Sequence, residues 1–163
     1  MKQTIAELQQ QFHTHGQVDW IGIRPQRKVP MVALDHDYLE PGKGLCRDRF
    51  KGSEKSRRQV SIIQAEHISA VAQMLGKSRL APELFRRNIV VSGINLLALK
   101  NARFYLGTAL LEMSGLCHPC SRMEEALGQG GYNLMRGHGG ILARVISPGE
   151  VHLGDSLRYV ESL

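Results

Sequence analysis

Three cysteines, seven histidines and several arginine- or glycine-rich stretches carry most of the chemistry that this sequence offers. The densest window is GLCHPCSRM at 115–123, where His118 and Pro119 separate Cys117 from Cys120. Four readings fit such a pair. Two thiols can sit idle in a turn, since free cysteine packs as a small apolar side chain. A structural zinc ion takes four ligands and one CxxC provides only two, so Cys46, His138 or His152 would have to complete it. A thioredoxin-like redox pair is expected beside a βαβ unit, a context missing here. The fourth reading is a single activated thiolate. Ser121 and Glu124 have capping-box spacing, which starts a helix at Ser121 and leaves Cys120 at or just before its N-terminus. The dipole and unpaired N–H groups at such an end stabilise an anion and lower a thiol pKa. A soft thiolate is also what a molybdenum or copper centre selects.

Basic residues form the second candidate. The segment Lys43 to Arg58 (KGLCRDRFKGSEKSRR) holds seven of the 21 Lys and Arg, opposed only by Asp48 and Glu54. Gly42, Gly44 and Gly52 mark it as a loop. It is either a solvated run or a clamp on phosphate, with Arg57, Arg58 and Gln59 entering a strand and pointing into a cleft. Arginine suits the clamp through its bidentate fork. Arg86, Arg87 and Asn88 precede an apolar strand, and two arginines there cannot both be buried unpaired. Either they face outward or they converge on an anionic ligand. In Arg136-Gly137-His138-Gly139-Gly140 the glycines allow close backbone approach to a ligand, which His138 would orient or protonate. The bland alternative is a hinge.

These groups need elements to position them. Ile5, Leu8 and Phe12 have helical spacing, a short helix that Gly16 ends. Val18–Ile23 and Val29–Leu34 read as strands able to pair. Val60–Ile63 is the next strand, followed by a helix over 65–75 with Ile68, Val71, Ala72 and Leu75 on one stripe and Gly76 as C-cap. Pro82 opens a single helical turn before the strand Asn88–Val91. Alternation over 103–112 predicts a hairpin turning at Gly107-Thr108. Ile141–Ile146 and Val151–Val160, the latter turning at Gly154-Asp155, close the chain. Eight or nine strands and two or three short helices, not alternating as βαβ units would, predict a mainly β, α+β fold built as an antiparallel β-barrel.

At 163 residues the chain suits one domain, and 42% hydrophobic with 22% charged residues is a globular balance. The net charge of +6 favours anionic partners. Only 6% of residues are aromatic, too few for base stacking, so nucleic acid is not expected. The N-terminal MKQTIAELQQQFHTHG lacks the apolar core of a signal peptide. The most apolar run, Ile89–Leu99, is short and broken by Ser92, Gly93 and Asn95, so no membrane span is expected. An odd, small number of cysteines makes no disulfide framework, and a cytoplasmic location is expected.

Taken in order, the motifs resemble a small stand-alone MOSC domain, the family named from the C-terminal region of molybdenum-cofactor sulfurases. The likeness runs through VDWIGIRPQRKVPM at 18–31, RRQVSIIQAEHI at 57–68, LFRRNIVVSGINLLAL at 84–99, CHPC at 117–120 and RGHGGILARVISPGEVHLGD at 136–155. The resemblance implies one MOSC domain over 1–163, with a core of about 17–160, a barrel and a few short flanking helices. It implies that Cys120 is the family cysteine, ligating the metal of molybdenum cofactor or carrying sulfur. Arg86 and Asn88 match the family's Arg and Asn before this strand, and Arg58 and Gln59 lie where relatives contact the cofactor. His118, Arg136 and His138 complete the implied cofactor-binding set. The implied activity is reduction of small N-hydroxylated compounds with electrons from a partner reductase. The alternative is a sulfur carrier, loaded as a Cys120 persulfide by a cysteine desulfurase. A third reading is a non-enzymatic anion-binding module. Family descriptions also invoke pyridoxal phosphate, but Lys77 and Lys100, the lysines after the basic loop, have no motif around them. The chain departs from many small relatives in having LCRDRF, with Asp48 and no histidine, where they carry GDxH.

Overall fold

The computed structural model describes residues 2–50 and 52–163. In chain order its elements are α1 (Ile5–Gln9), β1 (Gly16–Ile23), β2 (Val32–Leu34), β3 (His36–Glu40), β4 (Gly44–Leu45), β5 (Val60–Gln64), α2 (Ala65–Met74), β6 (Ile89–Ser92), β7 (Ala102–Leu106), β8 (Ala109–Leu116), α3 (Ser121–Leu127), α4 (Gly131–Met135), β9 (Ile141–Ser147), β10 (Gly149–His152) and β11 (Ser156–Ser162). Two short 3₁₀ turns, Pro82–Phe85 and Leu96–Leu99, are interposed. Seven strands follow one another in the order β11-β7-β8-β9-β5-β6-β1, and β1 returns to β11 to close a barrel. The closing register pairs Gly16 with Leu157 and Gln17 with Ser156. β2 extends the sheet antiparallel to β1, as the sequence predicts. The mainly β barrel expected from the sequence is therefore the fold.

Alternation explains the barrel wall. In β7 the inward residues Ala102, Phe104 and Leu106 are buried and the residues between them are not. β5 is buried at every position because it has the barrel interior on one side and helices on the other. Its inward Val60 and Ile62 join the barrel core with Ile21, Ile89, Phe104, Leu111 and Ile141. Its outward Ile63 joins a second core with Ile68, Val71, Phe85, Val90, Met123, Leu127 and Met135. All three helices α2–α4 thus pack on one wall, and that wall carries the thiol window.

Four expectations are corrected. β5, α2 and β6 form one βαβ unit with parallel strands, because the apolar stripe of α2 can only be covered by crossing back over the sheet. β3, unmarked in the sequence, pairs with β10 and β4 in a separate three-stranded sheet. The basic loop is therefore partly strand. The N-terminal helix stops at Gln9, held by a Thr4–Glu7 capping box, and leaves Ile5 and Leu8 exposed. Only Phe12 finds a partner, stacking on Tyr159 at 4.7 Å. Ser121 does not cap α3; Cys120 holds the N-cap position and Glu124 turns forward to accept from the N–H groups of Gly130 and Tyr132 at 2.7 and 2.8 Å.

Candidate functional site

Cys120 is exposed and ends the strand-to-helix connection between β8 and α3. Its backbone is extended (φ −126°, ψ 177°) and its carbonyl accepts from the N–H of Met123 at 2.9 Å, while its side chain makes no cap hydrogen bond. The thiol therefore faces outward unpartnered. Cys117 is half-buried, and burial pushes its thiol pKa up despite the opposing charges of Arg87, Arg58 and Arg24. Cys46 is also raised, first by burial and then by a hydrogen bond to Glu40. Of the three thiols only Cys120 is exposed.

The loop bearing this pair is pinned from below by Arg87. This side chain is buried yet faces no carboxylate; its guanidinium donates to the carbonyl oxygens of Gly139 at 2.9 Å, Phe85 at 2.9 Å and Cys117 at 3.5 Å. Neither alternative read from the sequence, outward or onto a ligand, describes it. The glycines after Arg136 act in the same support. A β-carbon at Gly139 would overlap the carbonyl of Cys117, and one at Gly140 would overlap that of Ile62. The close approach is to the protein's own backbone, and Gly140 accepts from the N–H of Cys117 at 2.9 Å.

Arg86 differs from its neighbour. It sits at φ 54°, the left-handed region, just after the Pro82–Phe85 turn. One nitrogen donates to the carbonyl of Val29 at 3.2 Å; Nη2 is buried with no partner. Burial lowers its pKa, Arg122, Arg24 and Arg49 add repulsion, and the carboxylate of Asp48 opposes them. Arg86, Lys28 and Arg122 line a cleft of about 490 Å³ whose other wall, Glu125 and Ala126, is α3, the helix that Cys120 caps. Arg24 bears on both halves of the site, since its charge acts on Cys117 as well as on Arg86. A half-buried cation with an orphaned donor, beside Lys28 and Arg122 and facing one carboxylate, Glu125, is a cradle for an anion with several oxygens.

Asp48 orients the ring. It is buried and accepts from Nε and Nη2 of Arg24 at 3.3 and 2.8 Å and from the Arg24 and Phe50 N–H groups. Burial would raise its carboxyl pKa, but the Arg24 hydrogen bonds and charge overcome this and hold it below the usual value.

The other residues singled out from the sequence separate into two groups. Gln59 and Asn88 are buried and fully engaged. Gln59 accepts from Gly42 and Val145 N–H groups and donates to the carbonyls of Ser53, Glu54 and Ser56, lacing the basic loop to the barrel. Asn88 bridges Ser61 and the carbonyl of Gly22, joining three strands. Arg58 and His118 are exposed at the thiol loop, and Arg136 is exposed after α4. His138 lies edge-on to His67 at 5.0 Å, with Nδ1 at 2.8 Å from the carbonyl of Leu134. That carbonyl only accepts, so Nδ1 carries the proton. Among the described residues no three of His, Cys, Asp and Glu converge to hold a metal, so Cys46, His138 and His152 do not complete a zinc site with the pair. Arg24, Lys28, Arg49 and Arg122 escaped the sequence reading. Arg122 lies two residues beyond Cys120 and was the one detectable signal.

The MOSC domain family pattern matches residues 39–158. Among solved structures the chain is similar to the YuaD protein from Bacillus subtilis, with a TM-score of 0.74 and 22% identity over 88% of this chain and 94% of that one. It is also similar to YiiM from Escherichia coli, at 0.72 and 22% over 92% and 71%. No curated protein matches the chain. At such identity the structural likenesses speak for the fold. Among the described residues no helix is long and apolar enough to cross a membrane.

Proposed function

We propose that this chain, which belongs to the MOSC domain family, binds molybdenum cofactor and reduces small N-hydroxylated compounds with electrons from a partner reductase. The family is known for binding this cofactor. The observation that carries the reading is the buried, unpartnered Nη2 of Arg86 in a cationic cleft walled by the helix that Cys120 caps. The residues suit the group's two ends. The exposed Cys120 thiolate is the soft ligand for the metal, and Arg86, Arg122 and Lys28, with Arg24 behind them, are the cations for its phosphate. Asn88 and Gln59 act behind this surface, fixing the strand ends and the loop from which the arginines project.

When bound, the cofactor supplies two-electron redox chemistry at a metal. The chain's own residues do the rest. Arg87, Gly139 and Gly140 hold the thiol loop at a fixed height. Asp48 keeps the Arg24 fork oriented. Breaking one N–O bond takes two electrons and two protons and releases the reduced nitrogen compound and water. His118, exposed two residues before Cys120, would move protons at its ring nitrogens.

The sulfur carrier remains the second reading, because an exposed, unpartnered Cys120 suits a persulfide that must reach an acceptor. Purification from a host that makes molybdenum cofactor separates the two. Molybdenum near one equivalent, absent from Cys120→Ser, is the expected result. A metal-free protein whose Cys120 peptide is heavier by one sulfur supports the carrier. Retained molybdenum in Cys120→Ser overturns the ligand assignment.

A further inference from the structure

A second concavity lies away from the Arg86 cleft. It is a groove of about 720 Å³ walled by the C-terminal half of β8, the Leu96–Leu99 turn, two residues of the basic loop and the end of β11. Three exposed leucines, Leu97, Leu116 and Leu163, converge in it. Single exposed leucines are ordinary surface, but three in one hollow make an apolar floor. The rim is cationic. Lys55, Arg57 and Lys100 all line it, and neither lysine forms an ion pair among the described residues. Arg57 is held in place by donating Nε and Nη2 to the carbonyl of Ser114 at 3.1 and 2.6 Å. The one side-chain carboxylate in the lining, Glu112, is already taken by Arg103 and Arg144 at 3.2 and 3.1 Å. It does not neutralise the lysines.

We propose that this groove binds a small amphipathic carboxylate, its acyl or aryl body on the leucines and its anionic head on Lys55 and Lys100. The volume falls within the roughly 300–1,000 Å³ of small-molecule sites. The unspent positive charge selects an anion over a neutral apolar ligand. The groove opens beside the thiol loop, since Leu116 directly precedes Cys117 and Arg57 precedes Arg58, whose charge acts on Cys117. The site stands whether Cys120 ligates a metal or carries sulfur.

The test is a titration of isotope-labelled protein with decanoate and with 1-decanol, following backbone amide shifts. Decanoate should saturate one site with shifts confined to the groove lining, Lys55–Arg57, Leu97–Asn101, Glu112–Leu116, Arg144 and Leu163, and decanol should bind about tenfold more weakly. The paired change Lys55→Gln with Lys100→Gln should weaken decanoate about tenfold and leave decanol unaltered, each exposed charge being worth up to roughly fivefold. Leu97→Ser should weaken both. These side chains are exposed, so unshifted amides elsewhere certify the fold of each variant. The proposal is overturned by decanol binding as tightly as decanoate, by shifts elsewhere, by no saturation, or by the same amides moving with protein concentration alone, which would make the groove a contact between copies.

Discussion

The guanidinium of Arg87 donates to the carbonyl oxygen of Gly139 at 2.9 Å, joining two points 52 residues apart in the chain. Through this contact and a longer one to the Cys117 carbonyl, the glycine turn, the 3₁₀ turn ending at Phe85 and the thiol loop become one support. The height of Cys120 above the barrel is set there.

That support should fail in a recognisable way. Gly139→Ala drives a β-carbon into the Cys117 carbonyl, and overpacking against backbone costs about 1–3 kcal/mol. At this chain length each kcal/mol lowers the melting temperature by roughly 2–4 °C. Loss of the Arg87 bonds in Arg87→Ala should have a comparable effect. Both variants should also alkylate Cys117 faster than the parent, because the loop that half-buries it comes loose. A lower melting temperature with unchanged Cys117 alkylation would show that the loop is held by something else.

Arg86 separates stability from binding. Its left-handed backbone favours glycine by about 1–2 kcal/mol, and its bond to Val29 offsets part of that gain. Arg86→Gly should therefore melt within a few degrees of the parent while losing its molybdenum content. Full molybdenum content in that variant would remove Arg86 from the cofactor site.

The thiols should react in a fixed order. Burial holds Cys117 and Cys46 protonated to higher pH, with Glu40 adding to the effect on Cys46, and the thiolate is the reactive form. Limited iodoacetamide at neutral pH, read by peptide mass, should label Cys120 first. Cys117 or Cys46 labelling first would contradict the exposure order.

Asp48 predicts a pH dependence with a definite sign. Its folded pKa is below the unfolded value, near 3.9. The unfolded chain therefore binds more protons as pH falls, and the stability contributed by the Arg24–Asp48 pair is complete at neutral pH and lost as pH drops through the folded pKa. Asp48→Asn should be less stable than the parent at pH 7, with the gap narrowing below about pH 4. A gap independent of pH would show that Asp48 acts through shape rather than charge.

Much of the wall was legible. The β1–β2 pairing, the apolar stripe of α2, the hairpin turning at Gly107-Thr108 and the place of Cys120 at a helix start all follow from local periodicity and turn chemistry. Less legible was where polar side chains spend their hydrogen bonds. Arg86 and Arg87 are neighbours of the same type, yet one is satisfied by three carbonyls and the other has an orphaned nitrogen. Gln59 and Asn88 look like ligand residues in the sequence but lace strands together in the structure.

By itself the sequence determined the barrel class, the cationic character and the place of Cys120 at a helix start, because hydrophobic alternation, net charge and helix-start spacing are local properties. Only the tertiary structure decided which cations ring a cleft, which glycines touch backbone and where the second groove lies. Those depend on partners tens of residues apart. Barrel closure at Gly16 and Leu157 and the parallel crossover from β5 to β6 bring them together, and no short-range pattern records which buried donor is left without an acceptor once they meet.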